Sequence, residues 1–297
     1  MTSVASAHGA RARPRARGLA RRRGVSIVMV ALTCLAAAVA VIPLVAILFY
    51  LLKQGLGALS IGFFMHMPKP AGEAGGGMAN AILGTLMLIG IASVVGLPVG
   101  IGAGLFLAEQ RGTKLATLVR FLADVLNGLP SIVMGIFAWE FLVRPFGGFS
   151  ALAGGAAIGA MMIPLVTRTT EEMVRTVPQS LREAALALGY PRWRTSMQIV
   201  LRTALGGIVT GVLVAVARVA GEAAPLLFTA LGNQFWSTNL TQPIAALPLQ
   251  IYTYANSPYD DWHAQAFAGA LVLIGLVLVI SVIARFATRR RHAGGHD

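Results

Sequence analysis

The stretch MANAILGTLMLIGIASVVGLPVGIGAGLFL, residues 78 to 107, contains no charged side chain. Its apolar residues form a continuous run rather than alternating with polar ones. A helix of about 20 such residues crosses the hydrocarbon core of a bilayer, which is about 30 Å thick. This stretch therefore predicts a membrane-spanning helix, and the rest of the chain contains further runs of the same kind.

The composition of the whole chain also favours the membrane class. Of its 297 residues, 56% are hydrophobic and 12% are charged, whereas a soluble domain carries roughly 25% charged residues. The net charge of +13 comes largely from arginines ahead of the first apolar run, at the C-terminal end and in alternate loops. That distribution is typical of membrane proteins, so we expect no nucleic-acid partner. The one cysteine, Cys34, cannot form an intrachain disulfide.

The apolar runs predict an all-α, polytopic membrane protein with six transmembrane helices. Residues 1–24 are predicted to be a disordered, arginine-rich tail near anionic lipid, and residues 288–297 a second tail, with the membrane domain at 25–287. The first apolar run is too long for the core of a cleaved signal peptide, which favours a retained span. The predicted spans are residues 25–52, 78–107, 118–143, 151–166, 204–231 and 267–287.

Basic residues orient these spans. Arg111 and Lys114 follow the second span, and six arginines between Arg168 and Arg202 follow the fourth. The loops after the first, third and fifth spans hold only three basic residues. Because cytoplasmic loops are enriched in Lys and Arg, we expect both termini on the cytoplasmic side of the membrane.

The stretch TVPQSLREAALALGYPRW, residues 176–193, has the features of a short soluble helix. Ser180 and Glu183 have the spacing of a capping box at a helix start. Gly189 occupies the position of a left-handed helix stop before Pro191. Two helical turns are not stable alone in water, so the helix needs a surface to pack on. Lipid and a cytoplasmic protein are the two candidate surfaces for its apolar stripe: Leu181, Ala184, Ala185 and Leu188.

Two charged residues interrupt the predicted fifth span, in LVAVARVAGEAAPLLF, residues 213–228. Arg218 and Glu222 are expected one helical turn apart, and a lone charge at mid-bilayer costs about 2.5–3.5 kcal/mol. One interpretation is an ion pair that pins a neighbouring helix. The other is a substrate contact in a polar path, because a guanidinium binds phosphate oxygens in bidentate fashion. Arg120 and Asp124 share the spacing near a span end and are expected to be structural.

Glycines and prolines cluster in two of the predicted spans. GLPVGIGAG, residues 96–104, and NGLPSIVMG, residues 127–135, are typical of helices that pack closely or are broken within the membrane. Close packing is the interpretation that we favour for most of these glycines.

The loop EAALALG, residues 183–189, with QIVL at 198–201, resembles the EAA loop of ABC-transporter permeases. Glu183, Ala184, Ala185 and Gly189 match that pattern, whereas Leu201-Arg202 replaces its usual Leu-Pro ending. The resemblance implies a coupling helix at about residues 180–189, including Ser180, that sits in a cleft of a cytoplasmic ATPase.

Longer blocks resemble the phosphate-specific permeases of the PstA type. They imply a type I ABC importer fold in a bacterial inner membrane and a tie between Arg218 and transport. Glu222, expected one turn away, is assigned to the same pathway because its carboxylate can hold the guanidinium in place. The implied partners are a second permease of the PstC type, ATPase subunits of the PstB type and a periplasmic phosphate-binding protein of the PstS type. ATP would be used by the partner ATPase, and no cofactor or metal is expected on this chain. The blocks are IPLVTRTTEEMVRTVPQSLREAALALG (163–189), LNGLPSIVMGIF (126–137), GLPVGIGAGLFLAE (96–109), ARVAGEAAPLLFTALGNQFWST (217–238) and QPIAALPLQIY (242–252).

Other functions are less consistent with the sequence. It contains no G-x-x-x-x-G-K-[ST] loop and no motif typical of an enzyme, so we expect a non-catalytic subunit. A permease for another oxyanion, such as sulfate or molybdate, is one alternative. A secondary carrier that needs no ATPase is the other. Substrate competition tests the first alternative, and dependence on an ATPase subunit tests the second.

Overall fold

The structure, a computed structural model, describes residues 16–70, 72–73 and 75–293. The chain divides into two compact units, residues 1–50 and 51–297. The described part of the first unit belongs to helix α1, Ala16–Gly55. Side chains 22–50 of this helix are exposed and mostly apolar. The helix begins before the predicted span at Val25, and residues 1–15 of the predicted tail lie outside the described residues.

The second unit is built from helices. A short helical turn at Leu56–Ala58 follows α1. A π-helical segment at Trp139–Val143 continues α5, and a second one at Thr195–Val200 joins α8 to α9. Helix α12 extends beyond both ends of the predicted sixth span. The helices are α2 Ile61–Met65, α3 Ala79–Glu109, α4 Lys114–Gly128, α5 Ser131–Ala138, α6 Ala151–Arg175, α7 Gln179–Ala187, α8 Arg192–Arg194, α9 Leu201–Ala220, α10 Ala224–Thr229, α11 Leu247–Ala255 and α12 Asp260–Ala293.

The prediction of an all-helical membrane protein is confirmed. Among the described residues, five helical stretches are long and apolar enough to cross a membrane, and a sixth candidate is bent. That candidate consists of α4 and of α5 with its π-helical extension, which meet at an angle of 106°. Pro130 lies at the bend and lacks the amide proton that a continuous helix would use. The five stretches are Arg22–Ala58, Ala79–Glu109, Ala151–Arg175, Arg192–Ala220 and Asp260–Phe286.

Two predicted span boundaries are wrong near the candidate site. The fourth span does not end at Val166, because α6 continues to Arg175. The predicted fifth span is not one helix to Leu231, because α9 ends at Ala220 and α10 starts at Ala224. Pro225, in the first turn of α10, has no amide proton to donate to the preceding turn, which favours a break at Gly221.

Helices α3 and α6 pack very closely where they cross, because glycines of α3 lie against α6. A Cβ atom added at Gly96 would lie 2.8 Å from the carbonyl oxygen of Gly159, and one at Gly104 would lie 2.5 Å from that of Thr167. At Gly100, between them, it would lie 2.7 Å from the Cβ of Val166. Small residues at this spacing allow two helix backbones to approach closely in a membrane. The expected packing role of these glycines is confirmed.

The main apolar core surrounds this crossing. It joins side chains of α3, α6, α9 and α10 with the segment that precedes α11. Because lipid tails are as apolar as leucine, such a core is held by close van der Waals packing rather than by exclusion of water. Its largest buried side chains include Leu88, Ile158, Met162, Leu226 and Ile244.

An irregular segment, residues 230–246, joins α10 to α11 and is held against α3. The Asn80 side chain donates a hydrogen bond to the carbonyl oxygen of Asn233 at 2.9 Å. Beyond the segment, the Leu247 amide donates to the buried Thr85 hydroxyl at 2.8 Å. Non-helical backbone at a bundle surface needs such partners for its polar groups. Leu231 has a positive φ of 60°, which a non-glycine residue adopts only where its surroundings impose it.

Replacement of Gly104 tests the helix crossing. We expect Gly104→Ala to lower the free energy of unfolding by about 1–3 kcal/mol, because the new methyl group meets the α6 backbone. Gly102→Ala is the matched control, since no atom lies within 4 Å of its added Cβ. Thermal unfolding in detergent micelles would compare them, and equal midpoints would contradict the crossing geometry.

Candidate functional site

Helix α7 is present, but it begins differently from the prediction. Its N-cap is Pro178, which offers no side-chain cap, and Ser180 is the second helical residue. The capping box predicted from Ser180 and Glu183 is therefore wrong. Proline fixes a backbone geometry that suits the approach to a helix, which explains an earlier start without a hydroxyl cap.

The predicted end of α7 is confirmed. Gly189 has a φ of +83°, the left-handed conformation that glycine adopts without strain. The Tyr190 amide donates to the Ala185 carbonyl oxygen at 3.1 Å, and the Gly189 amide donates to that of Leu186 at 3.0 Å. These two bonds form a Schellman motif, which satisfies carbonyl groups that the end of a helix leaves unpaired.

The predicted apolar stripe of α7 does not pack as a unit. Of its four residues, only Ala185 is buried, while Leu181, Ala184 and Leu188 are exposed. Successive residues of a helix are rotated by about 100°. Ser180, Glu183, Ala184 and Ala187 therefore lie opposite the attached face, and all four are exposed. We call these four residues the outward face of α7.

Arg182 attaches α7 to the long helices. Its side chain is 15% exposed and forms an ion pair with Glu109 at the end of α3. It also donates a hydrogen bond to the carbonyl oxygen of Val174, near the end of α6, at 3.2 Å. One guanidinium thus links α7 to α3 and α6, and its burial makes both contacts stronger than those of an exposed pair.

Arg218 and Glu222 are not one turn apart on a continuous helix. Arg218 lies in the last turn of α9, and Glu222 follows the C-cap residue Gly221 in the break before α10. The Arg218 side chain is exposed, Glu222 is half-buried, and no salt bridge joins them within the described residues. The interpretation as a self-neutralising pair therefore finds no support. The last turn of a helix favours a cation because the backbone carbonyls there carry negative partial charge.

Helix α10, which follows the helix that contains Arg218, packs against the bent span. A Cβ atom added at Gly135 of α5 would lie 2.8 Å from the Cα of Pro225 in α10. The short helix after the break at Gly221 therefore meets the second half of the bent span. In membrane transport proteins, interrupted helices near the midplane commonly surround the substrate site, because their free backbone groups and helix ends offer charge.

The most buried charge among the described residues was not predicted from the sequence. Glu171 on α6 is 1% exposed, and three arginines surround it. Arg120 on α4 approaches it at 2.6 Å, Arg175 pairs with the same oxygen, and Arg168 lies 3.7 Å from the other one. This cluster ties α4, the first half of the bent span, to α6.

Part of the Glu171 cluster could have been predicted from RTTEEMVR, residues 168–175. Arg168 and Arg175 lie three and four residues from Glu171, which places them next to it on one helix face. The contact with Arg120 had no such signal. Arg120 is structural as expected, but its salt-bridge partner is Glu171, and Asp124 is exposed. Arg120 pairs with Glu171 because α4 packs on α6.

Comparisons with known proteins agree with this architecture. A family model described as a binding-protein-dependent transport system inner membrane component matches residues 100–292. The phosphate transport system permease protein PstA of Yersinia pestis is 48% identical over 243 residues, covering 82% of each chain. PstA of Xylella fastidiosa strain Temecula1 is 46% identical over 267 residues, covering 89% of this chain and 93% of that protein.

A solved structure with very low sequence identity shares the fold. A bacterial alginate ABC transporter, crystallised with a periplasmic protein bound to an alginate pentasaccharide, superposes with a TM-score of 0.64. The match covers 93% of this chain and 98% of that chain at 14% identity. Similarity at this level shows the fold alone.

Removal of the buried carboxylate tests the α4–α6 tie. We expect Glu171→Gln to destabilise the protein by about 1–3 kcal/mol, because three arginines lose their shared charge partner while keeping access to solvent. Asp124→Asn is the matched control and should change stability much less, since Asp124 is exposed. Thermal unfolding of the purified proteins measures both, and a larger effect of Asp124→Asn would refute the assignment.

Proposed function

The chain belongs to the binding-protein-dependent transport permeases, and we propose that it is the PstA-type membrane subunit of an ATP-driven inorganic phosphate importer. It has the type I architecture of ABC importer permeases. The permease itself does not hydrolyse ATP, because that step belongs to a partner ATPase. The extensive identity with phosphate permeases supports phosphate over sulfate or molybdate, and membership of this family argues against an independent secondary carrier.

One permease subunit forms half of the translocation pathway. We propose that a second permease of the PstC type forms the other half, with two ATPase subunits of the PstB type on one side of the membrane. A phosphate-binding protein of the PstS type delivers the anion on the other side. The arginine-rich end of the bundle, which carries α7, faces the cytoplasm, because basic residues favour that side. Both chain termini then lie in the cytoplasm.

The proposed anion pathway rests on one observation: the Arg218 side chain is exposed at the break between α9 and α10. Its guanidinium has no carboxylate within salt-bridge distance among the described residues, so its charge is available to an anion. Phosphate accepts two parallel hydrogen bonds from such a group. Glu222, half-buried in the same break, lies beside this path and shapes the position that phosphate occupies.

Helix α7 is the coupling helix in this proposal. Glu183 and Ala184 of the outward face contact the ATPase, and the small side chain of Ala184 permits a close approach. Ala185 and Gly189 serve the attached side, as a buried contact and as the turn that ends the helix. Ser180 contributes its hydroxyl to the outward face rather than to a cap.

Alternating access follows from the attachment of α7. When ATP binding closes the ATPase subunits, the docked α7 moves with them. Arg182 transmits this motion to α3 and α6, and the Glu171 cluster transmits it from α6 to α4. The bend between α4 and α5 and the break between α9 and α10 accommodate this movement. Arg218 then faces the periplasm in one state and the cytoplasm in the other.

Replacement of Arg218 tests the pathway. We expect Arg218→Gln to reduce phosphate uptake by about tenfold to a hundredfold, because it removes charge-assisted hydrogen bonds to the anion. Arg218→Lys should retain part of the activity, since it keeps the charge but not the planar fork. Uptake of labelled phosphate by proteoliposomes with the complete transporter measures this.

Arg202→Gln is the matched control, because it removes an exposed arginine from the same helix, α9. Its uptake rate should equal that of the wild type. Full uptake by Arg218→Gln, with the complex intact, would remove Arg218 from the anion path.

An aromatic side chain on the outward face tests the coupling helix. We expect Ala184→Phe to weaken association with the ATPase roughly tenfold, because overpacking an interface costs about 1–3 kcal/mol. Val94→Phe adds the same ring at an exposed position of α3 and serves as the control. Co-purification of the ATPase with each variant gives the result, and undiminished recovery with Ala184→Phe would show that this face is free.

A further inference from the structure

A cavity of about 620 Å³ lies beside α7, where the ends of α3 and α6 meet α8. Four arginines line it, and the one carboxylate in its lining is Glu109. We call it the arginine cavity. Its volume is within the range of small-molecule sites, about 300–1,000 Å³. The anion path through Arg218 does not include it, because Arg218 does not line it. The four arginines are Arg111, Arg175, Arg182 and Arg192.

Two of these arginines have carboxylate partners and two do not. Arg182 pairs with Glu109, and Arg175 pairs with Glu171 behind the cavity wall. Arg111 and Arg192 are exposed, and neither has a carboxylate within salt-bridge distance among the described residues. The Arg111 Nε donates to the Ala108 carbonyl oxygen at 3.2 Å, which fixes the side chain and leaves its terminal nitrogens for another acceptor.

The start of α7 adds to this positive potential. Pro178 and Gln179 line the cavity, and no side chain caps the first backbone amides of α7. Uncapped amides at a helix start carry positive partial charge. They reinforce the arginine cluster, which alone gives the cavity an excess of cations over anions.

We propose that the arginine cavity binds a phosphoryl oxyanion between Arg111 and Arg192. The planar guanidinium fork donates paired hydrogen bonds to two oxygens of a phosphoryl group. The cavity has room for free inorganic phosphate and for a phosphoryl group carried by a lipid headgroup. Both present phosphoryl oxygens to the arginines; hydrogen phosphate carries two negative charges and can neutralise both cations, whereas a headgroup phosphodiester carries one.

Occupation of the cavity restrains α7. Arg111 lies in the turn after α3, whereas Arg192 lies in α8 after α7. An anion held by both arginines connects the two sides of α7 and opposes its displacement. If α7 is the coupling helix, the bound anion slows the transport cycle from the cytoplasmic side. This consequence depends on the proposed function, whereas the binding of the anion does not.

Amide hydrogen exchange of the complete transporter tests binding directly. The complex is placed in nanodiscs of neutral phosphatidylcholine without nucleotide, and inorganic phosphate is compared with chloride at equal ionic strength. We expect phosphate at about ten times its dissociation constant to slow exchange of residues 179–188 about tenfold. Nanodiscs that contain phosphatidylglycerol, without added phosphate, test the headgroup in the same way.

Variants assign any slowing to the cavity. Arg111→Gln and Arg192→Gln should each weaken binding about tenfold, as expected for loss of a charge-assisted hydrogen bond. Both residues are exposed, so the fold should persist, and co-purification of the partner subunits checks this. Arg202→Gln removes an exposed arginine outside the cavity and should leave the slowing unchanged.

The outcomes separate the two sources of the anion. Slowing by added phosphate that both arginine variants reduce supports the site with free phosphate as ligand. Slowing in phosphatidylglycerol nanodiscs that the same variants reduce supports it with a headgroup as ligand. No slowing in either arm, or slowing that survives in the Arg111→Gln/Arg192→Gln double variant, overturns the proposal. A positive result alongside a failure to transport phosphate would reject the proposed function and leave the site intact.

Discussion

Helices α3 and α6 approach each other so closely that glycine is required at three turns of α3, Gly96, Gly100 and Gly104. In a bilayer this contact cannot depend on the exclusion of water, because lipid is as apolar as the helix surface. It depends on the area over which two backbones touch, which a methyl group at any of these positions would reduce. The core around α9 and α10 is assembled on this pair.

The ends of α3 and α6 carry the two carboxylates, Glu109 and Glu171, that pair with arginines of other helices. The end of α6 buries Glu171 against Arg120, and the end of α3 presents Glu109 to Arg182. Helix α7 is therefore attached to both long helices by a single guanidinium that is mostly buried. Since a helix of two turns has little stability of its own, this attachment and the packing of α7 against Thr195–Val200 give α7 its position.

Arginines serve three different purposes in this chain. Those around Glu171 compensate a buried carboxylate and join helices, as paired groups do. Arg218 has no carboxylate partner among the described residues and lies at the end of α9, where we propose that an anion in transit meets it. Arg111 and Arg192 also lack such a partner there, and they line the cavity beside α7 in which we propose that an anion binds. The residue type is the same in each case, and the presence or absence of a carboxylate partner decides the role.

The protein class, the apolar segments and the existence of α7 with its end at Gly189 could be predicted without coordinates. These depend on local chemistry: the length of apolar runs, and the left-handed conformation that glycine permits. Three further features could not be predicted: Arg218 and Glu222 are separated by a helix break, Ala185 is buried while Ala184 is exposed, and Glu171 pairs with arginines from two helices. Those outcomes depend on which neighbour each helix packs against. The small residues of α7 look the same in sequence whether they pack against Thr195–Val200 or against a partner protein. The contact between Arg120 and Glu171 joins residues far apart in the chain.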